Sequence, residues 1–117
     1  MTLNILDFSA AKKTGYKGNL DTLKLNQGEL TVSSWALNAT ELATPDAWAV
    51  VSGKKVLSFF HGRNLLRPDI ASVYVGAPTF LSGMRHSLQV SEQDVGSFRV
   101  FSLFMSKGTA VEMPKTL

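Results

Sequence analysis

The feature that most constrains the fold is a regular alternation of short apolar runs with turn residues. Runs rich in Val, Leu, Phe and Trp recur at intervals of about eight to twelve residues, which is typical of antiparallel sandwiches and barrels. The long runs are Leu20–Asn26, Glu29–Leu37, Asp46–Ser52, Lys55–His61, Met84–Val90 and Phe98–Met105. We therefore predict an all-β fold, an Ig-like or jelly-roll-like antiparallel β-sandwich of about seven or eight strands. A small closed barrel is the alternative.

Turn residues inside this pattern predict two hairpins. Gln27-Gly28 separates the first two runs, and Ser52-Gly53-Lys54 separates the next two. Glycine suits both turns because it adopts a positive φ without steric cost. Ala47–Val51 is apolar throughout, which predicts a strand that is covered on both faces.

The strand pattern is interrupted after Arg67. Pro68 suits the first position of a helix, and Asp69 suits its positively polarised N-terminal end. Pro78 opens a second short helical turn, which Ser82-Gly83 closes. We therefore predict a short helical crossover within residues 67–82 that carries the chain from one sheet to the other.

The length of 117 residues is that of a single domain. We predict a lead-in or basic arm over residues 1–19, with an edge strand at Leu3–Phe8, then one sandwich domain over residues 20–113. Residues 114–117 are expected to be a frayed tail. The predicted core consists of Leu30, Val32, Trp35, Ala49, Val51, Leu57, Phe59, Ile70, Phe80, Leu88, Val100 and Phe101.

Composition narrows the classes of partner and compartment. No run reaches the ~18 apolar residues of a membrane span, and a net charge of +3 is too small to indicate a nucleic-acid partner. Cysteine is absent, and the first ten residues lack the basic start of a secretory signal. These features favour a bacterial cytoplasm or cell envelope, and they leave the localisation open.

The sequence carries no pattern typical of catalysis or metal binding. No serine lies in a nucleophile elbow, and the two histidines, His61 and His86, are 25 residues apart without a further ligand motif. We therefore expect no catalytic residue, no metal and no cofactor, and hence no enzyme. A small hydrolase that uses His61 or His86 is the alternative.

Six side chains are candidates for ligand binding. An arginine at a loop rim can fork onto a carboxylate or a pair of sugar hydroxyls. Two solvent-facing tryptophans would form a stacking platform for sugar rings. Each has a structural alternative, in which the tryptophans are core residues and the Arg-Pro-Asp corner locks the crossover. The candidates are Trp35, Trp48, His61, Arg63, Arg67 and Asp69.

Four motifs occur in an order that resembles a known type of bacterial module. They are Trp35-Ala36-Leu37, Trp48 to Lys54, Arg67-Pro68-Asp69-Ile70-Ala71 and Ser82-Gly83-Met84. The series is similar to modules built around "GWA", "VxVDG", "RPDVA" and "SGF", which lie beside glycosyltransferases and other proteins of cell-surface polysaccharide synthesis. The resemblance spans residues 29–90, and Ser34 and Met84 depart from its usual glycine and phenylalanine. It implies a β-sandwich with an accessory role and supplies no catalytic residue.

These observations lead to two expected functions. The first is a non-catalytic binding or accessory module that recognises bacterial cell-surface carbohydrate. The alternative is a protein-interaction or assembly domain, which positions a neighbouring enzyme or forms a homodimer through an edge strand.

Overall fold

The described part of the chain folds into two packed β-sheets and one short helix. A computed structural model describes residues 9–10, 15–41, 43–53, 55–61, 67–73, 82–91, 98–105 and 108–114. The described elements are β1 (Ser9–Ala10), β2 (Tyr16–Asn26), β3 (Glu29–Asn38), β4 (Ala47–Ser52), β5 (Lys55–His61), α1 (Pro68–Val73), β6 (Gly83–Gln89), β7 (Phe98–Phe104) and β8 (Thr109–Glu112). The predicted all-β, sandwich-like fold is confirmed.

One sheet has five strands in the order β1-β8-β7-β4-β5, and the other has three in the order β2-β3-β6. All described pairs are antiparallel except β1 with β8. The chain leaves the five-stranded sheet at β5 and enters the three-stranded sheet at β6, with α1 between them. The predicted helical crossover is therefore confirmed for Pro68–Val73, while the helical turn expected at Pro78 lies outside the described residues.

The main core lies between the two sheets. It joins Leu30 and Val32 of β3 and Met84 of β6 to Trp48 and Val50 of β4. Alternate residues of β4 form a second buried cluster with Phe101 and Leu103 on the other face of the five-stranded sheet. Because β4 contributes to both clusters, its uninterrupted apolar run follows directly from burial on both faces.

The first hairpin turn has the backbone that its sequence predicts. Gln27 has a φ of 51° and Gly28 a φ of 79°, and the flanking residues Asn26 and Glu29 are paired. Positive φ at both central residues defines the type I′ turn, whose twist matches that of the flanking strands. Gly53, with a φ of 60°, provides the corresponding freedom in the turn between β4 and β5.

β2 begins at Tyr16 rather than at Leu20, so residues 16–19, which were predicted to belong to the N-terminal lead-in, are part of a strand. The interruption by Gly18 hid this first part of the strand from the alternation pattern. A Cβ at Gly18 would lie 2.7 Å from the backbone oxygen of Trp35, so the close approach of β3 excludes a side chain there. The strand expected at Leu3–Phe8 lies outside the described residues.

Most of the predicted core is buried. The buried members are Leu30, Val32, Ala49, Val51, Ile70, Val100 and Phe101. The half-buried members are Trp35, Leu57, Phe59 and Leu88, and Phe80 lies outside the described residues.

Candidate functional site

Four polar side chains form a continuous hydrogen-bonded chain beside the three-stranded sheet. We call Asn19, Asp21, Arg67 and Asp69 the corner network. Arg67 donates through Nε to Oδ1 of Asp69 at 3.0 Å and through Nη2 to Oδ2 at 2.9 Å. Its Nη1 donates to Oδ2 of Asp21 at 2.8 Å, and Nδ2 of Asn19 donates to Oδ1 of Asp21 at 2.9 Å. The guanidinium thus bridges the crossover and β2.

The start of α1 fixes the arginine end of this network. Pro68 is the first helical residue, and the N–H of Ile70 donates to the carbonyl of Arg67 at 3.1 Å. The Ile70 side chain is only 8% exposed, which anchors the short helix. Ser72 Oγ donates to the carbonyl of Asp69 at 2.7 Å. The carboxylate of Asp69 accepts two hydrogen bonds from Arg67, which are the largest influence on its pKa.

A β-bulge fixes the aspartate on β2. The register between β2 and β3 shifts between Leu20 and Thr22, so Asp21 has no partner in the ladder. Extra residues at a bulge re-aim side chains at sheet edges. The sequence signal for this bulge is the spacing of Leu20 and Leu23, two apolar residues three positions apart in one strand. In the structure both pack in the inter-sheet core. A strict period of two cannot place both on one face.

Trp35 lies on the outer face of the same sheet, directly opposite Asn19 in the β2–β3 register. Its neighbours Ser34 and Ala36 are buried, whereas Trp35 is half-buried, as alternation along β3 requires. Residues opposite each other on one face have Cβ atoms about 4.5–5.5 Å apart. The indole is therefore the neighbour of the corner network.

Hydrogen bonding between Arg67 and Asp69 stabilises the ionised forms of these two side chains. The hydrogen bonds from Arg67 lower the pKa of the Asp69 carboxyl below its usual range. The hydrogen bond to Asp69, with a further contribution from Asp21, raises the pKa of the Arg67 guanidinium. The Asp69 side chain remains 63% exposed and that of Asp21 33% exposed, so both carboxylates retain access to solvent.

The structure thus brings together three of the six predicted candidates, Trp35, Arg67 and Asp69. Trp48 is 0% exposed and packs in the inter-sheet core, so its ring is not available to stack on a ligand. His61 is exposed at the end of β5 in the other sheet, in an edge-to-face contact with Phe59 at 5.0 Å. Arg63 lies outside the described residues.

The corner also includes two residues that were not predicted as candidates from the sequence, Asn19 and Asp21.

A second polar contact that was not predicted joins the two sheets on the side of β5 and β6, away from the corner network. Ser58 Oγ lies 3.2 Å from Nε2 of His86, and the His86 ring stacks on Phe60 with centroids 4.0 Å apart. Because this imidazole packs against an aromatic ring between the sheets, the contact connects β5 to β6.

A separate cavity of about 430 Å³ lies between β2 and β8, lined by Tyr16, Lys17, Gly18, Val111, Glu112, Met113 and Pro114. None of the candidates within the described part of the chain lines it. In that same part, no three His, Cys, Asp or Glu side chains cluster so as to hold a metal ion. The helical segment that is described is too short to cross a membrane.

No protein-family model, no curated protein and no solved structure matches the chain.

Proposed function

We propose that the chain is a non-catalytic binding module for bacterial cell-surface carbohydrate. The proposed site comprises Trp35 and the adjoining corner network. The observation that carries this proposal is the juxtaposition of the half-buried Trp35 indole on the outer face of the sheet with a fixed series of planar polar groups. The resemblance to accessory modules of polysaccharide synthesis points in the same direction.

The indole supplies the apolar half of such a site. A sugar ring presents C–H groups on one face, and an aromatic ring packs against them while its polar edge remains hydrated. Trp35 lies on a central strand, paired to Asn19 on one side and to Gly83 on the other. A residue held by two neighbouring strands is well positioned for recognition, because little conformational freedom is lost on binding.

The corner network supplies the polar half. A carboxylate has about four acceptor positions, and Arg67 occupies one position on each oxygen of Asp69. The remaining positions can accept hydrogen bonds from adjacent sugar hydroxyls. Because Arg67 also contacts Asp21, the spacing between the two carboxylates is set before any ligand arrives.

The electrostatics favour binding over acid catalysis. A carboxyl whose pKa is lowered stays ionised at neutral pH, so Asp69 acts as an acceptor rather than as a proton donor. A general acid would require the opposite shift, such as that produced by burial in an apolar pocket.

The proposal is tested by titrating the full chain with oligosaccharides from bacterial surface polysaccharides, chosen to include neutral, amino and acidic sugars. We expect chemical-shift changes centred on the Trp35 indole N–H and the Asn19 side-chain amide. Trp35→Ala is expected to weaken binding by roughly tenfold or more, which corresponds to about 1.4 kcal/mol. Asp69→Asn is expected to weaken it by a smaller factor.

Glu112→Gln provides a matched control. Arg99 donates to Glu112 through Nη2 at 2.6 Å, so this exposed pair resembles the Arg67–Asp69 pair but lies on the other sheet. The control variant should bind like the native chain. The proposal fails if none of the sugars binds, or if Glu112→Gln weakens binding as much as Asp69→Asn does.

A further inference from the structure

The outer edge of β6 presents a regular row of backbone groups. β6 pairs with β3 over seven residues without a register shift. Ala36 N–H donates to Ser82 O at 3.0 Å, and Val90 N–H donates to Gly28 O at 2.9 Å. Backbone bonding alternates along an antiparallel ladder, so even-numbered residues bond to β3. Arg85, Ser87 and Gln89 therefore direct their N–H and C=O groups away from the sheet.

The other lateral edges carry features that oppose strand addition. Leu20 N–H donates to Pro114 O at 2.8 Å, which joins the edge of β2 to the segment that follows β8. β8 is covered by β1, and β5 begins with Lys55 and pairs with β4 through a register shift. Lysines, bulges and covering segments are the usual protections of exposed edges. β6 has no Pro, no Lys and no bulge.

We propose that β6 pairs antiparallel with β6 of a second copy of this chain, so that two three-stranded sheets become one six-stranded sheet. A twofold axis at His86 places Arg85 opposite Ser87 of the second copy. An axis at Ser87 instead places Arg85 opposite Gln89 of the second copy. Both registers keep like charges apart and place side chains of the same face opposite each other. Strand β6 is therefore compatible with antiparallel pairing to its own copy.

We expect this dimer to be weak, because its interface is small. Seven residues of one strand offer less than the standard interface area of about 1,600 Å². We expect a Kd on the order of 0.1 mM, at the weak end of specific association. This inference concerns the edge of the sheet and does not depend on carbohydrate binding at its face.

Sedimentation velocity of the full chain, from about 1 µM to about 1 mM, tests the proposal. The native chain should shift from monomer to dimer across this range. Ser87→Lys places an ammonium group opposite Arg85 or opposite its own copy, and like charges directly opposed are destabilising. We expect the Kd to rise at least tenfold. Thr22→Lys adds the same charge to the same sheet on β2, away from β6, and should leave the Kd unchanged.

Ser87→Pro is a second variant, because it removes an N–H that does not bond to β3 and edge strands tolerate proline at such positions. It should also abolish dimerisation while circular dichroism stays native. In the native chain, amide exchange at Arg85 and Ser87 should slow as concentration rises. The proposal is overturned by a monomer at every concentration, or by a dimer that Ser87→Lys leaves intact, since that dimer would use another surface.

Discussion

The outer faces of the two sheets differ sharply in chemistry. The outer face of the three-stranded sheet carries Thr31, Ser33 and the half-buried Trp35 on β3 and the exposed Ser87 on β6. The corresponding face of the five-stranded sheet carries a buried apolar cluster that includes Ala47 and Leu103, both 0% exposed. The first face is partly open to solvent, whereas the buried cluster on the second contributes to stability.

The two tryptophans illustrate the same difference. Trp48 lies in the inter-sheet core, with its neighbours Ala47 and Ala49 buried on the opposite face of β4. Trp35 is half-buried and follows the half-buried polar residues Thr31 and Ser33 on the outer face of β3. The two tryptophans are therefore expected to contribute differently to stability, because Trp48 lies on a strand that is buried on both faces and Trp35 lies on a partly exposed face.

The largest predicted effect distinguishes these two rings. Trp48→Ala removes a fully buried side chain and should lower the free energy of unfolding by about 3–5 kcal/mol. Trp35→Ala should lower it by about 1 kcal/mol, because part of the ring already contacts solvent. Urea unfolding of both variants measures the difference. Equal losses would contradict the assignment of Trp35 to an outer face.

The second prediction compares how much the outer face of each sheet contributes to stability. Leu103→Ala, in the buried cluster of the five-stranded sheet, should cost about 2–5 kcal/mol. Ser33→Ala, on the outer face of the other sheet, should change stability by less than about 0.5 kcal/mol. Each kcal/mol lowers the Tm of a small domain by roughly 4–8 °C. A thermal shift for Leu103→Ala as small as that for Ser33→Ala would show that the second cluster is not a core.

Much of the fold could be predicted from the sequence, because alternation and turn chemistry act locally. The strand Lys55–His61, the Gln27-Gly28 turn and the helix start at Pro68 follow from such local rules. The site could be predicted only in part. Arg67 and Asp69 are two positions apart in sequence, but the contact of Arg67 with Asp21 spans 46 positions and depends on a bulge. Burial of Trp48 likewise depends on the packing of two sheets.

The smallest predicted effect concerns acid stability of the corner network. The pKa of Asp69 is lower in the folded chain than its usual value, so its ionised form stabilises the fold above that usual value. This contribution is lost as the pH falls through the folded pKa. Because Asp69→Asn removes the ionisable group, the native chain should be slightly more stable than the variant near neutral pH, and the two should converge as the pH falls below the usual aspartate pKa and through the lower folded pKa.

The same comparison in an Arg67→Gln background isolates the cause. The hydrogen bonds from Arg67 are the largest contribution to the shift, so Asp69→Asn should have almost no pH-dependent effect once the guanidinium is gone. Urea midpoints of the four chains across this pH range complete a double-mutant cycle. If the pH-dependent difference persists without Arg67, the helix start rather than the arginine stabilises the carboxylate. The corner would then be a helix cap, and its contact with β2 would contribute little to the proposed carbohydrate site.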